Sequence, residues 1–407
     1  MNIFKDRFSE IKKASEPLYK SPKSVQETIE ILKISESGIF EVADGKYSKT
    51  YRFSDVNYAT RSEDEQEGFF QRYCKCLNSF DCTFKITVNN KNKDMDVLRN
   101  EVMLKYRNDG FDKMRESYNR IIEEKILEGR QGIEQERYLT ITIERKNFEE
   151  AKAQFATIEA SMFRSFAELG SKLIPLTGNE RLKILHDYYR LGREDEFNFD
   201  IRQGRITGTD FRNEICNTRI KYHPDYFEDE GKVGRVLFIK KYPTYLSDRF
   251  FTELTFLPVH SVTSVDVVPV PKDLTMKMLQ KKYLGIESDI IKQQRTRNRN
   301  NDFSSDISYA TRQKKKDIEE IMNNVRENDE SLYYVSVTMI VMADDRDELE
   351  SICETVDSIA KGAGCAVDTC MYKQREAVNT TLPIGVRQIE TMRTMLTQSL
   401  AVLMPFN

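Results

Sequence analysis

Apolar and polar residues alternate along several short segments of the chain, and each such segment predicts a half-buried β-strand. Residues 84–88 and 139–143 both show this alternation. Between Phe148 and Leu169, apolar residues recur every three or four positions, which predicts one buried face of an α-helix. In its first part, the chain therefore alternates strands with helices.

The same pattern returns after a polar stretch at residues 191–208, which predicts a domain boundary. In chain order, the other main predictions are a hairpin at 38–53, helices at 62–77, 94–128 and 179–190, strands at 236–239 and 262–270, helices at 276–290 and 312–326, a strand at 333–341, a helix capped by Asp344, and a strand at 365–372. The last predicted elements thus form a strand–helix–strand unit, and the same order of strand, helix and strand is predicted near the start of the chain.

These patterns predict an α+β fold class with two mixed strand/helix domains and a helical insertion. The ferredoxin-like arrangement is one candidate for each domain. We place an N-terminal lead at residues 1–37, a first α+β domain at 38–200, and a second at 201–407 with the insertion at about 272–330. Because polar residues alternate along the strands, we expect helices to cover only one face of the sheet.

Composition limits the cellular locations and the classes of binding partner that we expect for this chain. The 407 residues carry a formal net charge of -3, from 63 basic and 66 acidic residues, which argues against a general nucleic-acid binder. No segment approaches the roughly 18 consecutive apolar residues of a transmembrane helix, and the N-terminus has no signal-peptide core. We therefore expect a cytoplasmic protein without a transmembrane segment and with reduced cysteines.

Searches for known chemical motifs favour no catalytic, cofactor-binding or metal-binding residue. Residues 38–48 have the wrong glycine spacing for a phosphate-binding loop. Cys74, Cys76 and Cys82 fit no common zinc pattern. His186 lies beside Asp187 on a predicted helix, and we interpret it as a helix-face residue with local hydrogen bonds.

Two alternatives from other functional classes stay open. A hydrolase whose site forms only in the folded chain leaves no sequence motif. The basic stretch Lys292, Arg295, Arg297 and Arg299 is compatible with binding to nucleic acid or to anionic lipid, although a solvated helix end is the favoured interpretation.

Four groups of segments resemble a known family. They are residues 38–42 with 47–58, residues 77–80 with 89–90, residues 175–190, and residues 380–385 with 393–394 and 399–406. In this order they resemble the N-terminal region of the large secretion ATPase of conjugative type IV secretion systems, in the versions found on mobile elements of Gram-positive, Clostridia-like bacteria. The resemblance extends from about residue 21 to residue 407, and residues 194–210 and 293–301 fit it loosely.

The resemblance implies that this region docks and assembles an ATPase that energises transfer of DNA and protein. It implies inner-membrane channel subunits as partners, self-association of the full-length protein, and a peripheral location at the inner face of the cytoplasmic membrane. From the balanced charge, we predict no direct contact with nucleic acid. The interface candidates on the matching motifs are Tyr47, Ser48, Asn57, Asn179, Glu180, Arg181, His186, Thr381, Leu382, Pro383, Arg393, Thr394, Ser399, Pro405 and Phe406.

In this family a P-loop motor domain follows the N-terminal region and binds ATP and Mg²⁺. No segment of this chain matches the motor, so we predict that the chain alone binds no cofactor and does not hydrolyse ATP. The apolar run at residues 396–406 leads into the motor in the family, and we expect it to expose an apolar surface here. For Thr381–Ile384 and for Pro405 and Phe406, packing between domains is favoured over contact with a partner.

Overall fold

The computed structural model describes residues 22, 24–92, 103–127, 133–299, 309–327 and 329–407. The strands are β1 (Lys33–Ile34), β2 (Ile39–Ala43), β3 (Lys46–Phe53), β4 (Thr83–Asn92), β5 (Ile133–Glu144), β6 (Leu173–Pro175), β7 (Ile220–Tyr222), β8 (Phe227–Asp229), β9 (Lys232–Lys241), β10 (Ser261–Val270), β11 (Leu332–Ala343), β12 (Ala366–Thr369) and β13 (Arg393–Leu396). The α-helices are α1 (Glu63–Asn78), α2 (Asp112–Leu127), α3 (Phe148–Leu169), α4 (Gly178–Tyr189), α5 (Ile201–Thr207), α6 (Phe211–Ile215), α7 (Arg249–Thr255), α8 (Lys272–Arg299), α9 (Tyr309–Glu327), α10 (Arg346–Gly362), α11 (Gln374–Thr381) and α12 (Thr397–Ala401).

The strands form a large antiparallel sheet, and with the helices they confirm the predicted α+β class. The long path through the sheet runs β6-β3-β5-β4-β10-β11-β9-β12. The short strands β1 and β2 extend it beside β3, β7 and β8 extend it beside β9, and β13 pairs with β11. Most strands therefore lie between two neighbours, which satisfies their backbone hydrogen bonds.

One connectivity occurs twice in this sheet. The first half runs β3-α1-β4-β5-α3-β6, and the second runs β9-α7-β10-β11-α10-β12. In each half the fourth strand lies beside the first, and the third lies between the first and the second. This β-α-β-β-α-β order is that of a ferredoxin-like unit. Each half also has a helical insertion between its second and third strands: α2 in the first, α8 and α9 in the second.

The two halves join edge to edge through equivalent strands. β4 and β10 pair antiparallel, with a register that runs from Phe84 opposite Val267 to Asn90 opposite Ser261. An antiparallel pair of equivalent strands is the relationship that a two-fold rotation produces. The halves thus share one sheet, and a hydrophobic core of buried residues on one face of that sheet extends through both.

The first face of the sheet is apolar and packs against α1, α3, α7, α10 and the end of the chain. The predicted amphipathic helix is α3, which begins at the cap Asn147 and ends at Gly170, a glycine in the left-handed conformation. Phe155, Met162 and Phe166 on its buried face contribute to this core.

The second face is covered as well, so the prediction of a sheet with one covered face is wrong. Helices α4, α6 and α11 and residues 382–389 contribute to a second cluster of buried hydrophobic residues, which includes residues of the second face of the sheet. Thr50, Thr140 and Thr142 are all buried on this face. Their polar alternation reflects hydrogen bonds to buried backbone groups, and the pattern alone does not distinguish such bonds from contact with water.

Several boundaries differ from their predictions. Asp345 caps α10 in place of Asp344, because its side chain accepts a hydrogen bond from the backbone of Glu348 at 2.9 Å. The stretch 191–208 contains a short 3₁₀-helix and α5. The strand predicted at 365–372 is shorter. Elements α6, α7, α11, β7, β8 and β13 have no counterpart among the predictions, and part of the helix predicted at 94–128 lies outside the described residues.

Candidate functional site

The motif at residues 380–385 crosses the polar face of the sheet. Helix α11 ends at Thr381 because Leu382 precedes a proline and takes an extended conformation. The chain then runs across the buried threonine and serine side chains of the sheet. We call residues 380–386 the strap.

Side chains of the sheet hold the strap by its backbone carbonyl oxygens. Ser48 on β3 donates to the carbonyl of Ile384 at 2.5 Å, and Thr142 on β5 donates to that of Gly385 at 3.1 Å. Ser264 on β10 donates to the carbonyl of Thr381 at 2.5 Å. Because β3 and β5 belong to the first half and β10 to the second, the strap joins both halves.

Gly385 lets the strap approach the sheet closely. Its φ is +93°, in the region that favours glycine. A Cβ at this position would lie 2.5 Å from the Cβ of Ser48 and 2.7 Å from Oγ1 of Thr142. Only glycine fits this contact without a shift of the strap or the sheet.

Arg181 on α4 holds three of the motif segments together. Its guanidinium donates to the carbonyls of Gly38 and Ser48 at 2.8 and 2.9 Å, and to those of Pro383 and Ile384 at 3.2 and 3.3 Å. It also donates to Oγ of Ser48 at 3.1 Å. Burial lowers the pKa of Arg181 to about 9. Carbonyl dipoles and the ring of Phe40, 3.9 Å from the guanidinium carbon, surround the charge.

A buried ion pair lies below the strap at the junction of the two halves. Lys85 on β4 and Asp266 on β10 are register partners, and both side chains are almost completely buried. Lys85 also donates to the carbonyls of Thr380 and Val386 in the strap. No motif drew attention to these two residues; the only signal was a charged residue within each alternating strand.

The end of the chain packs into the apolar core, so the expectation of an exposed apolar surface is wrong. Phe406 is 1% exposed, and its ring contacts the rings of Phe53, Phe69 and Tyr73 edge to face at 5.4–5.7 Å. Arg137 on β5 donates to the carbonyl of Pro405 at 2.6 Å. Long-range aromatic contacts, which the sequence does not reveal, bury this run.

Other candidates have local structural roles. Glu180 forms a capping box with Thr177 at the start of α4, and Asn179 accepts a hydrogen bond from the backbone of Ile201 at 3.1 Å. Asn57 accepts from the backbone and hydroxyl of Thr60. Tyr47 is buried beside Phe148.

His186 is 1% exposed, which leaves its ring out of reach of a substrate. Nδ1 lies 3.3 Å from Oδ1 of Asp187, and the ring packs against Phe197. A cavity of about 20 Å³ beside Asp187 and His260 has room for about one water molecule. A larger cavity of about 590 Å³, lined by residues including Tyr222, His223 and Arg375, contains none of the candidates.

Five candidates are exposed, among them Asn57 and Glu180, whose local contacts are given above. Arg393 and Thr394 on β13 are exposed, and so is Ser399 on α12. Arg393 and Thr394 line a groove of about 390 Å³ between β13 and the base of the helices α8 and α9. Apolar residues form much of the rest of the groove: Met278, Leu279, Ile321, Leu332, Met392, Met395 and Leu396.

The described part of the chain holds no group of three His, Cys, Asp or Glu side chains that could bind a metal. All seven cysteines lie in that part and are free thiols. Burial raises the pKa of Cys74, Cys76 and Cys82 to about 12, so these thiols are protonated and weakly nucleophilic. Among the described helices, none has the length and apolar character that crossing a membrane requires.

Comparison with known proteins assigns this chain to no family. No family model matches the chain, and no curated protein matches its sequence. The resemblance to the secretion ATPase therefore rests on the motif segments alone.

Proposed function

We propose that this chain is a docking and assembly part of a conjugative type IV secretion ATPase. The observation that supports this proposal best is that three groups of motif segments, far apart in sequence, meet at Arg181. They contribute Gly38 and Ser48, the start of α4, and the strap. Segments that resemble one family and form one network are expected to serve one role.

The geometry suits positioning better than catalysis. The strap and the β4–β10 pair join the two halves into one sheet, and in each half a helical insertion follows the second strand. Polar side chains on the second face of the sheet donate hydrogen bonds to backbone carbonyls of the strap. Such a joined body can present a surface groove to a partner in a fixed arrangement.

The proposed partners are inner-membrane channel subunits and further copies of the full-length protein. The proposed location is cytoplasmic and peripheral, at the inner face of the cytoplasmic membrane. ATP and Mg²⁺ would bind the motor domain of the family, and this chain would contribute no catalytic residue. Because the fold makes little use of the side chains of Arg393 and Thr394, their groove is the proposed contact for a channel subunit.

The alternative of a stand-alone hydrolase has weaker support. Its leading candidate, His186, is buried beside Asp187, and the cavity that Asp187 lines has room for only about one water molecule.

Co-purification tests the docking proposal. The chain is co-expressed with the channel subunits of its own secretion system, and we expect them to co-purify. Arg393→Glu should abolish co-purification without a change in thermal midpoint, because Arg393 is exposed. Arg164→Glu makes the same charge change at an exposed position of α3 and should retain the partner.

Two results would contradict the proposal. Retention of channel subunits by Arg393→Glu would exclude the groove, and their absence with the unmodified chain would exclude docking. Calorimetry tests the remaining part, since ATP binding at micromolar affinity would show that the chain has its own nucleotide site.

A further inference from the structure

Helices α8 and α9 form an arm that projects from the sheet. Helix α8 begins directly after β10, and α9 ends shortly before β11. With its 28 residues, α8 is about 42 Å long at a rise of about 1.5 Å per residue. Lys315 of α9 lies 3.2 Å from a carboxylate oxygen of Glu287 of α8, so the helices run side by side. The end of α8 and the start of α9 are therefore far from the sheet.

Positive charge is concentrated at this far end. We call residues 292–299 and 309–316 the basic tip. They contain eight lysines and arginines and no acidic residue: Lys292, Arg295, Arg297, Arg299, Arg312, Lys314, Lys315 and Lys316. When the connecting residues Asp302 and Asp306 are counted, residues 292–316 still carry +6, whereas the whole chain carries -3.

The fold brings together two basic segments that the sequence separates. Lys315 binds Glu287 and lies over the ring of Tyr283 at 5.1 Å, which anchors α9 against α8. Lys314 and Lys316, on either side, are exposed. Arg295 and Arg299 are exposed on α8, four residues and thus about one helical turn apart. The net charge of the whole chain, -3, does not reveal this local excess of positive charge.

The uncharged residues of the tip indicate which polyanion fits. They are mainly hydrogen-bonding residues: Gln293, Gln294, Thr296, Asn298, Tyr309, Thr311 and Gln313. A helix that inserts into a lipid surface needs an apolar face, and the tip has none. Lysine, arginine, glutamine and threonine side chains donate well to phosphate oxygens of nucleic acids.

We propose that the basic tip binds the phosphate backbone of double-stranded nucleic acid without sequence preference. A duplex presents one phosphate charge per roughly 1.7 Å of axis. Single strands are bound largely through stacking on aromatic side chains, and Tyr309 is the one aromatic residue of the tip sequence. This inference stands on charge and geometry and does not depend on the proposed docking function.

Fluorescence anisotropy with a labelled duplex of about 30 base pairs tests the proposal. The tip variant Arg295→Gln/Arg299→Gln/Lys314→Gln/Lys316→Gln removes four exposed charges from the arm. The control variant Lys146→Gln/Lys152→Gln/Arg164→Gln/Lys172→Gln removes four exposed charges in and around α3. Circular dichroism checks that both variants remain folded.

We expect the unmodified chain to bind the duplex at about 50 mM salt and to lose affinity steeply by about 200 mM. The tip variant should bind at least about tenfold more weakly, with a shallower dependence on salt, because each lost phosphate contact removes about 0.9 from the log–log slope. The control variant should bind like the unmodified chain.

Three outcomes would overturn the proposal. The first is no binding by the unmodified chain at low salt. The second is an equal loss in the tip and control variants, which would assign binding to total charge. The third is binding to vesicles that contain anionic lipid, weakened in the tip variant, without binding to the duplex, which would make the tip a membrane contact.

Discussion

Nζ of Lys85 and Oδ2 of Asp266 lie 3.7 Å apart across the strand pair that joins the two halves. Burial lowers the pKa of Lys85 and raises that of Asp266, while the opposite charge of each partner acts against the shift. Lys85 also donates to the carbonyl of Val386 at 2.9 Å. One charged group therefore connects the first half, the second half and the strap.

Removal of one partner of the Lys85–Asp266 ion pair should lower the free energy of unfolding more than removal of both. Asp266→Ala leaves the buried ammonium of Lys85 without its counter-charge, and we expect a loss of about 3–5 kcal/mol in the free energy of unfolding. The double variant Lys85→Met/Asp266→Leu leaves no buried charge but also removes the donor to the carbonyls of Thr380 and Val386, so its stability should lie between that of Asp266→Ala and that of the unmodified chain. Urea denaturation measures both, and a loss below about 1 kcal/mol in Asp266→Ala would contradict this account.

Gly385→Ala should destabilise the strap. The added Cβ meets Ser48 and Thr142, and the positive φ disfavours alanine, so we expect a loss of at least about 2 kcal/mol by urea denaturation.

Gly362→Ala provides the control for that change. Gly362 lies in α10, and a Cβ there meets no other atom within 4 Å. We expect a neutral effect or a gain of up to about 1 kcal/mol. Equal effects in the two variants would show that the close approach of Gly385 is unimportant.

Phe406→Ala tests the packing of the chain end. The ring is 1% exposed among three aromatic rings, so its loss should cost about 3–5 kcal/mol in thermal or urea unfolding. Phe256 is 74% exposed, and Phe256→Ala should change stability by less than about 0.5 kcal/mol. A small effect at Phe406 would mean that the end of the chain contributes little to the core.

Asp229 should make stability depend on pH. Burial raises the pKa of this carboxyl group to about 7, and its Oδ1 accepts a hydrogen bond from Asn217 at 2.7 Å. Between about pH 4 and pH 7 the folded state holds a proton that the unfolded state releases. The contribution of the Asp229 carboxyl group to the free energy of unfolding is therefore fully present below about pH 4, and it is lost as the pH rises through about 7.

Asp229→Asn should remove this dependence, since the amide is neutral at every pH. Relative to the unmodified chain, the variant should gain a few kcal/mol between about pH 4 and pH 8 in a series of urea titrations. Asp195→Asn changes an exposed carboxylate and should follow the unmodified curve. A constant difference between Asp229→Asn and the unmodified chain would contradict the prediction.

The sequence was informative where the pattern depends on neighbours in the chain. Helix α3 and strand β5 followed from periodicity, and the class of the fold followed from the alternation of strands and helices. The polar face was misinterpreted because Thr50 and Thr140 look the same whether they meet water or the carbonyl of Pro383. Only the folded chain brings the strap to them.

The sequence likewise predicted only part of the candidate site. The resemblance directed attention to Ser48, Arg181 and Pro383, which the fold brings into one network. Lys85 and Asp266 had no motif, because a charge that is compensated across two strands depends on a partner far away in sequence. The groove at Arg393 forms from segments that are also distant from one another.

The antiparallel junction has a mechanical consequence. The insertion of the first half leaves the sheet after the end of β4, and the arm of the second half leaves it after the end of β10. Because β4 and β10 run in opposite directions, these exits lie at opposite ends of the junction. A force that pulls the two insertions apart slides the strands past each other, and all the hydrogen bonds of the junction share the load. The junction therefore resists tension between the two insertions far better than it would resist being peeled open from one end.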